Sequence, residues 1–166
     1  MTESVSIRRR LQPGDLGRII QLHGSSYSRE RGYGIAFEAY VAEGIAEFWH
    51  RYDRERDRVW LCESDGSLVG SLVLMHRGSA AQLRYFLLLS AYRGMGLGKR
   101  LMAEYMSALQ ECSYQSSYLW TTDELAAAAA LYTRHGFVLT EQSSSRRFGK
   151  ELVEQRYDWT APEEGK

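Results

Sequence analysis

The chain has 166 residues and a mass of 19.0 kDa, 44% hydrophobic and 25% charged, a balance that fits a globular protein and excludes disordered or fibrous architectures. A chain this long hides roughly 70% of its unfolded surface, whereas each half alone would be marginal, so one domain is expected over residues 1–160 with a polar tail at 161–166. Basic and acidic residues number 21 each, which leaves no global field to gather nucleic acid, and the two cysteines, Cys62 and Cys112, are too few for a disulfide framework or a cysteine-rich metal site.

No apolar stretch follows the basic cluster Arg8-Arg9-Arg10, and no run approaches a membrane span, so neither a secretory leader nor a membrane contact is expected. A reducing, cytoplasmic setting follows. Val5 to Leu11 reads as a first strand closed by the turn Gln12-Pro13-Gly14-Asp15. Asp15 is then placed to cap a helix whose stripe is Leu16, Ile19, Ile20 and His23, with Gly24 as its stop. Ser25 to Gly34 reads as a polar, glycine-punctuated loop. Phe37, Tyr40, Val41, Gly44, Ile45, Phe48, Trp49 and Tyr52 repeat at helical spacing and predict a long amphipathic helix.

After this helix the period changes. Val59–Glu63 and Leu68–His76 are β-rich and joined by Ser64-Asp65-Gly66-Ser67, a hairpin signal. Ala81–Leu89 ends in an unbroken apolar run, as a central strand buried on both faces does. Lys99–Cys112 returns to helical spacing. Tyr118–Thr121 reads as a short strand and Leu125–His135 as a helix, with Thr121 and Glu124 as a candidate capping box and Gly136 as the stop. Phe137–Glu141 and Leu152–Trp159 read as closing strands around a serine-rich bend. The order predicts one mixed sheet with helices on both faces, an α/β (α+β) arrangement.

The most informative segment is Tyr92-Arg93-Gly94-Met95-Gly96-Leu97-Gly98-Lys99-Arg100, which joins a buried strand to an amphipathic helix. Alternating glycines let the backbone turn sharply and bring its N–H groups close to a ligand. The helix start adds unpaired N–H groups and the positive end of its dipole, a setting suited to phosphate or pyrophosphate. A mononucleotide P-loop is excluded, because Arg93 holds its first glycine position and Arg100 its Ser/Thr position. A dinucleotide fingerprint fails too: counted from Gly94 its last position is Lys99, and from Gly96 it is Leu101. On this segment alone, a glycine-rich connection without a ligand stays open.

Arg93-Gly94-Met95-Gly96-Leu97-Gly98 resembles the Q/R-x-x-G-x-G/A acetyl-CoA signature of the GNAT superfamily of N-acetyltransferases. Ala129-Ala130-Leu131-Tyr132-Thr133-Arg134-His135-Gly136-Phe137 is similar to that family's second hallmark, a small-residue helix ending in Leu-Tyr and then Gly-Phe. More narrowly, Gln12–Gly17, His23-Gly24, Tyr27, Glu30, Leu83-Arg84, Leu119–Thr121 and Phe148–Val153 resemble the acetyltransferase half of proteins that fuse a MarR-type regulator to a GNAT domain. The resemblance implies a mostly antiparallel sheet of about seven strands flanked by about four helices, with splayed central strands.

It also implies a function: transfer of an acetyl group from acetyl-CoA to a primary amine, by direct attack in a ternary complex. Arg93, Gly94, Met95, Gly96, Leu97, Gly98 and Lys99 would hold the CoA pyrophosphate, and the main chain of Phe86, Leu87 and Leu88 would pair with pantetheine. Tyr132 would face the CoA sulfur as its acid. For the base, Gln82 stands where some members carry glutamate, and Leu125 where many carry a pantetheine-binding asparagine. His23, Glu30 and Glu38 remain candidates, His23 having the intrinsic pKa for the task. Tyr27, Tyr33, Phe37 and Trp120 are candidates for an aromatic acceptor wall. The expected partner is a small-molecule or peptide amine, with no nucleic acid, no membrane, no metal, and a homodimer as the assembly. A catalytically weak acyl-CoA sensor acting through a protein partner is the alternative, suggested by Gln82.

Overall fold

The computed structural model describes residues 4–163, so expectations about residues 1–3 and 164–166, including the end of the polar tail, lie outside it. In chain order the elements are β1 (Ser6–Arg8), α1 (Asp15–Arg31), α2 (Ile35–His50), β2 (Arg58–Ser64), β3 (Ser67–Arg77), β4 (Ala80–Leu88), a 3-10 turn (Ser90–Tyr92), α3 (Leu97–Glu111), β5 (Ser116–Thr122), α4 (Ala126–Arg134), β6 (Val138–Ser145) and β7 (Leu152–Thr160). The strands form one seven-stranded sheet in the order β1-β2-β3-β4-β5-β7-β6. Every pairing is antiparallel except β4 with β5, which α3 joins as a crossover. No helix among the described residues is long and apolar enough to cross a membrane.

Strand alternation splits the core into two layers. Trp60 and Cys62 of β2 and Leu72 and Leu74 of β3 pack against Leu101, Met102, Tyr105 and Leu109 of α3. Their neighbours Val59, Leu61, Val73 and Met75 face Ile19, Phe37, Val41, Ile45 and Phe48 of α1 and α2. Tyr105 is fully buried, and its hydroxyl shares a 2.8 Å hydrogen bond with Ser117 Oγ, which satisfies the polar end of a ring placed in the core. The β2–β3 hairpin turns at Asp65 and Gly66, both at positive φ, the geometry that matches strand twist in a two-residue loop.

In β4 the alternation slips. Ala81 and Leu83 face the α3 layer, whereas Tyr85 and Leu87, of the same parity, face the α1/α2 layer. The pairing with β3 shifts between Ser71 and Val73, and Tyr85 adopts a left-handed φ of 54°. The Ser71 hydroxyl donates to the Tyr85 carbonyl at 2.6 Å and pins the bulge. One extra residue therefore turns the second half of the strand over.

Four local expectations require correction. Helix α1 does not stop at Gly24 but runs through the expected loop to Arg31, where Gly32 at φ 73° ends it. Gly24 is a packing glycine: a Cβ there would collide with the Glu38 side chain of α2. Asp15 is the first helical residue and does not cap; its carboxylate instead accepts from Arg8 at 2.7 and 2.9 Å, from Arg18 at 2.8 Å and from the Gln12 N–H at 2.6 Å. Thr121 and Glu124 make no capping box, because α4 begins at Ala126 with Leu125 at its N-cap and no side-chain cap, and Thr121 lies within β5. The serines 143–145 are not a bend but the end of β6.

Candidate active site

The glycine segment lies where the 3-10 turn meets α3. Gly94 and Gly96 have φ of 78° and 85°, and open space surrounds the position a Cβ would take at each. Gly96 caps α3 with no side-chain hydrogen bond, so the first turn presents bare N–H groups beside that space. Arg93 anchors the loop: its Nε donates to the Leu88 carbonyl at 2.9 Å, and its Nη2 pairs with Glu30 Oε2 at 2.9 Å. This shape and charge fit a pyrophosphate. They fit CoA in particular because of what lies behind them.

The β4–β5 ladder covers only Ala80–Gln82 against Ser116–Tyr118. Beyond Gln82 the strands part, and the β5 side of Leu83–Leu88 has no ladder partner. A cavity of about 690 Å³ opens there, bounded by α1, α2, the second half of β4, the glycine loop and α4. That volume is in the range of cofactor sites. A chain of amides entering the slot could replace the missing ladder bonds.

Of the predicted cofactor residues, Phe86, Leu87, Leu88, Arg93, Gly94, Gly96, Gly98 and Lys99 line this cavity. The side chain of Met95 points to solvent and that of Leu97 is buried in the α3 layer, so these two bring main chain only. Tyr132 lines the cavity from α4, between Phe86 at 6.1 Å and Tyr157 at 6.3 Å, ring centre to ring centre. Burial pushes its hydroxyl pKa well above the usual phenol value, with Tyr27 and Tyr105 adding to the shift. Tyr132 thus stays protonated at any working pH.

The base candidates fare differently. Glu38 packs over Gly24 and does not line the cavity. Glu30 does line it, but its carboxylate is engaged by Arg93. His23 lines the cavity and is buried, with Nδ1 2.9 Å from the Ile19 carbonyl. A carbonyl only accepts, so Nδ1 carries the proton and Nε2 the lone pair, and Nε2 is buried without a partner. Burial lowers the His23 pKa to about 4, opposed by the Ile19 hydrogen bond and aided by the charge of Arg84.

That shift gives a stability prediction. The unfolded histidine keeps its ordinary 6.5, so as pH falls the unfolded chain takes up this proton first. Stability from His23 is complete above pH 6.5 and declines towards pH 4, by about 3 kcal/mol at most. Asp15, lowered to about 2 despite a burial penalty by its bonds to Arg8 and Arg18, stabilises the fold above about 3.8 and loses that contribution only as pH falls from there towards 2. Urea unfolding at pH 7 and pH 4.5 is expected to show a smaller loss in His23→Asn than in the parent protein. An identical loss would contradict a buried neutral imidazole.

Tyr27, Tyr33, Phe37 and Trp120 all line the cavity, as the aromatic-wall reading expects. Tyr27 and Tyr33 stack at 5.2 Å, Tyr33 and Phe148 at 5.7 Å, and the Tyr33 hydroxyl meets Thr122 Oγ1 at 3.0 Å. Arg84, Tyr85, Tyr40 and Phe148, given no site role from the sequence, complete this wall together with Arg147. Arg147 stacks 4.6 Å from the Tyr40 ring and bonds Glu154 at 3.0 Å. Strict alternation would put Arg84 and Tyr85 on opposite faces, so only the bulge reveals them.

The sequence matches the acetyltransferase (GNAT) family over residues 19–137. It is 28% identical over 128 residues to YjgM of Escherichia coli K12, described as an uncharacterized N-acetyltransferase, with 74% of each chain covered. A GNAT-family acetyltransferase from Staphylococcus aureus Mu50 superposes with a TM-score of 0.75 at 18% identity, over 95% of this chain and 99% of that one. The protein yncA from Salmonella typhimurium, solved with its cofactor acetyl-CoA, gives 0.70 at 16% identity over 98% and 96% of the two chains. The glycine loop, the splayed strands and a match spanning most of the sequence establish that this chain belongs to the acetyltransferase (GNAT) family, enzymes that use acetyl-CoA.

Proposed function

We propose that the protein transfers an acetyl group from acetyl-CoA to the primary amine of a small acceptor, by direct attack while both are bound. The observation that carries this reading is the end of the β4–β5 ladder at Gln82 and Tyr118, which leaves one cavity running from the glycine loop past Tyr132 to α1 and α2. Acetyl-CoA, when bound, would supply the thioester whose C–S bond breaks as the amine forms its new N–C bond. The proton lost by nitrogen would pass to solvent water, and the one gained by sulfur would come from Tyr132, which solvent then reprotonates.

The chain's own groups divide these tasks. The N–H groups of Gly94–Lys99 hold the diphosphate, and the freed main chain of Phe86–Leu88 holds the pantetheine arm. Tyr132, kept protonated by burial, donates to the departing sulfur. The lone pair of His23 Nε2 accepts an N–H of the incoming amine and orients it; with a pKa near 4 it is a hydrogen-bond acceptor rather than a strong base. Glu30 holds Arg93 in place and is a positioning residue. The narrower likeness to the acetyltransferase half of MarR-type fusions, which includes His23, Glu30 and Arg84, belongs to this reading and carries no DNA binding.

Two-substrate initial-rate kinetics test it. Double-reciprocal lines are expected to intersect, as a ternary complex requires. Parallel lines would point to an acetylated protein intermediate and sink direct attack, and tight CoA binding with no transfer to any amine would favour the sensor alternative.

A further inference from the structure

The acceptor side of the cavity holds three polar groups that no side chain or main chain among the described residues satisfies. His23 Nε2 and the Tyr85 hydroxyl are buried without a hydrogen-bond partner, on residues only 4% and 8% exposed. The two rings meet edge to face at 5.7 Å. The third group is the Arg84 guanidinium. It lies over ring faces, 4.8 Å from Tyr85 and 5.8 Å from Tyr40, and forms no ion pair among the described residues. The carboxylates sharing its groove are engaged elsewhere: Glu47 by Arg51 and Arg77, and Glu154 by Arg147. Glu43, exposed at the rim, does not pair with it.

The bulge in β4 brings these groups together. With Tyr85 at φ 54°, consecutive side chains reach the same face, and both end against Gly44 of α2. A Cβ on Gly44 would collide with the Tyr85 hydroxyl and the Arg84 guanidinium, so the glycine is what leaves room for them. A backbone conformation this unfavourable for tyrosine persists only where its surroundings enforce it, and such sites concentrate where ligands bind. Arg84 also lines a second, polar groove of about 560 Å³ that shares Tyr40, Gln82, Trp120 and Arg147 as lining residues with the main cavity.

We infer that the acceptor is an amine that also carries a carboxylate, of which a free amino acid is the simplest example. The Arg84 fork and the Tyr85 O–H donate to the carboxylate, while His23 Nε2 accepts from the amine nitrogen. The inference rests on the acetyl-transfer reading and names its substrate class. A polyamine would place a second cation against Arg84. A phosphate ester would bring more charge than one free guanidinium balances, since Arg147 already serves Glu154. A peptide N-terminus offers a neutral amide where the carboxylate belongs. Tyr27, Phe37 and Tyr40 form the apolar floor beside these groups, which favours an apolar or aromatic side chain.

The test uses matched probes: phenylalanine, methionine and leucine, each beside its carboxamide and its decarboxylated amine. Each is titrated calorimetrically into the full-length protein, with and without saturating CoA, and each is assayed for acetyl transfer. At least one amino acid is expected to bind ~10-fold or more tighter than both of its partners, as a charge-assisted pair provides. Arg84→Met should reduce that preference to within ~2-fold, with the larger loss falling on the amino acid, and Arg84→Lys should restore part of it. Equal binding and equal rates across every set, or no binding by any probe, would overturn the inference. The CoA titration reports separately on the underlying reading: CoA binding without a carboxylate preference defeats only the acceptor class, whereas no CoA binding defeats acetyl transfer itself. Unchanged melting temperatures for the Arg84 variants exclude misfolding as the cause.

Discussion

The Gly96→Val substitution is expected to weaken CoA affinity at least ~100-fold while leaving a folded protein. Two effects combine at this position. The backbone sits at φ 85°, a region a β-branched residue adopts only under strain of about 1–3 kcal/mol, so the loop must shift to relieve it. The space beside Gly96 is open, and the residue lines the cavity, so an isopropyl group would occupy the approach to the uncapped N–H groups of α3. Calorimetric titration with CoA measures the loss, and near-ultraviolet circular dichroism checks the fold. Parental affinity in a folded variant would remove the glycine loop from the cofactor site.

Tyr132→Phe is expected to separate chemistry from binding. Phenylalanine keeps the ring contacts with Phe86, Phe137 and Tyr157 at 6.1 to 6.3 Å, so the cavity wall survives. Only the hydroxyl is lost. Positioned proton transfer contributes ~100-fold or more, so turnover should fall by about that factor with CoA affinity unchanged within ~2-fold. Because burial raises the hydroxyl pKa, the parent enzyme should show no loss of rate attributable to this group through pH 10. Single-turnover rates beside CoA titrations decide the matter; a variant with normal turnover would leave Tyr132 a packing residue.

Most of the architecture could be read from residue patterns. Apolar β-rich runs such as Val59–Glu63 and helical stripes such as Phe37–Tyr52 mark the elements that build the core, and burial enforces those patterns strongly. The glycine loop was legible for a similar reason: repeated glycine before an amphipathic helix has few other physical uses. Local signals misled where one residue serves two purposes. Gly24 reads as a helix stop, yet it is small because Glu38 of α2 crosses there, a contact some fourteen positions away in the chain. Asp15 reads as a cap, yet its carboxylate joins Arg8 and Arg18. The acceptor wall was the least legible part. Nothing in Leu83-Arg84-Tyr85-Phe86 marks a left-handed tyrosine, and an even alternation gives the wrong face for everything after it.

The slip in β4 divides the labour of a single strand between two ligands. In the proposed reaction Arg84 and Tyr85 address the acceptor, whereas Phe86 and Leu88 lean towards the opposite layer while their peptide groups would serve the thioester arm. Substrate preference and carrier grip are thereby encoded by neighbouring but separable codons. Randomising positions 44, 84 and 85 should yield enzymes with altered selectivity and an intact hold on the acyl carrier, which makes this short stretch the natural place to retune the catalyst.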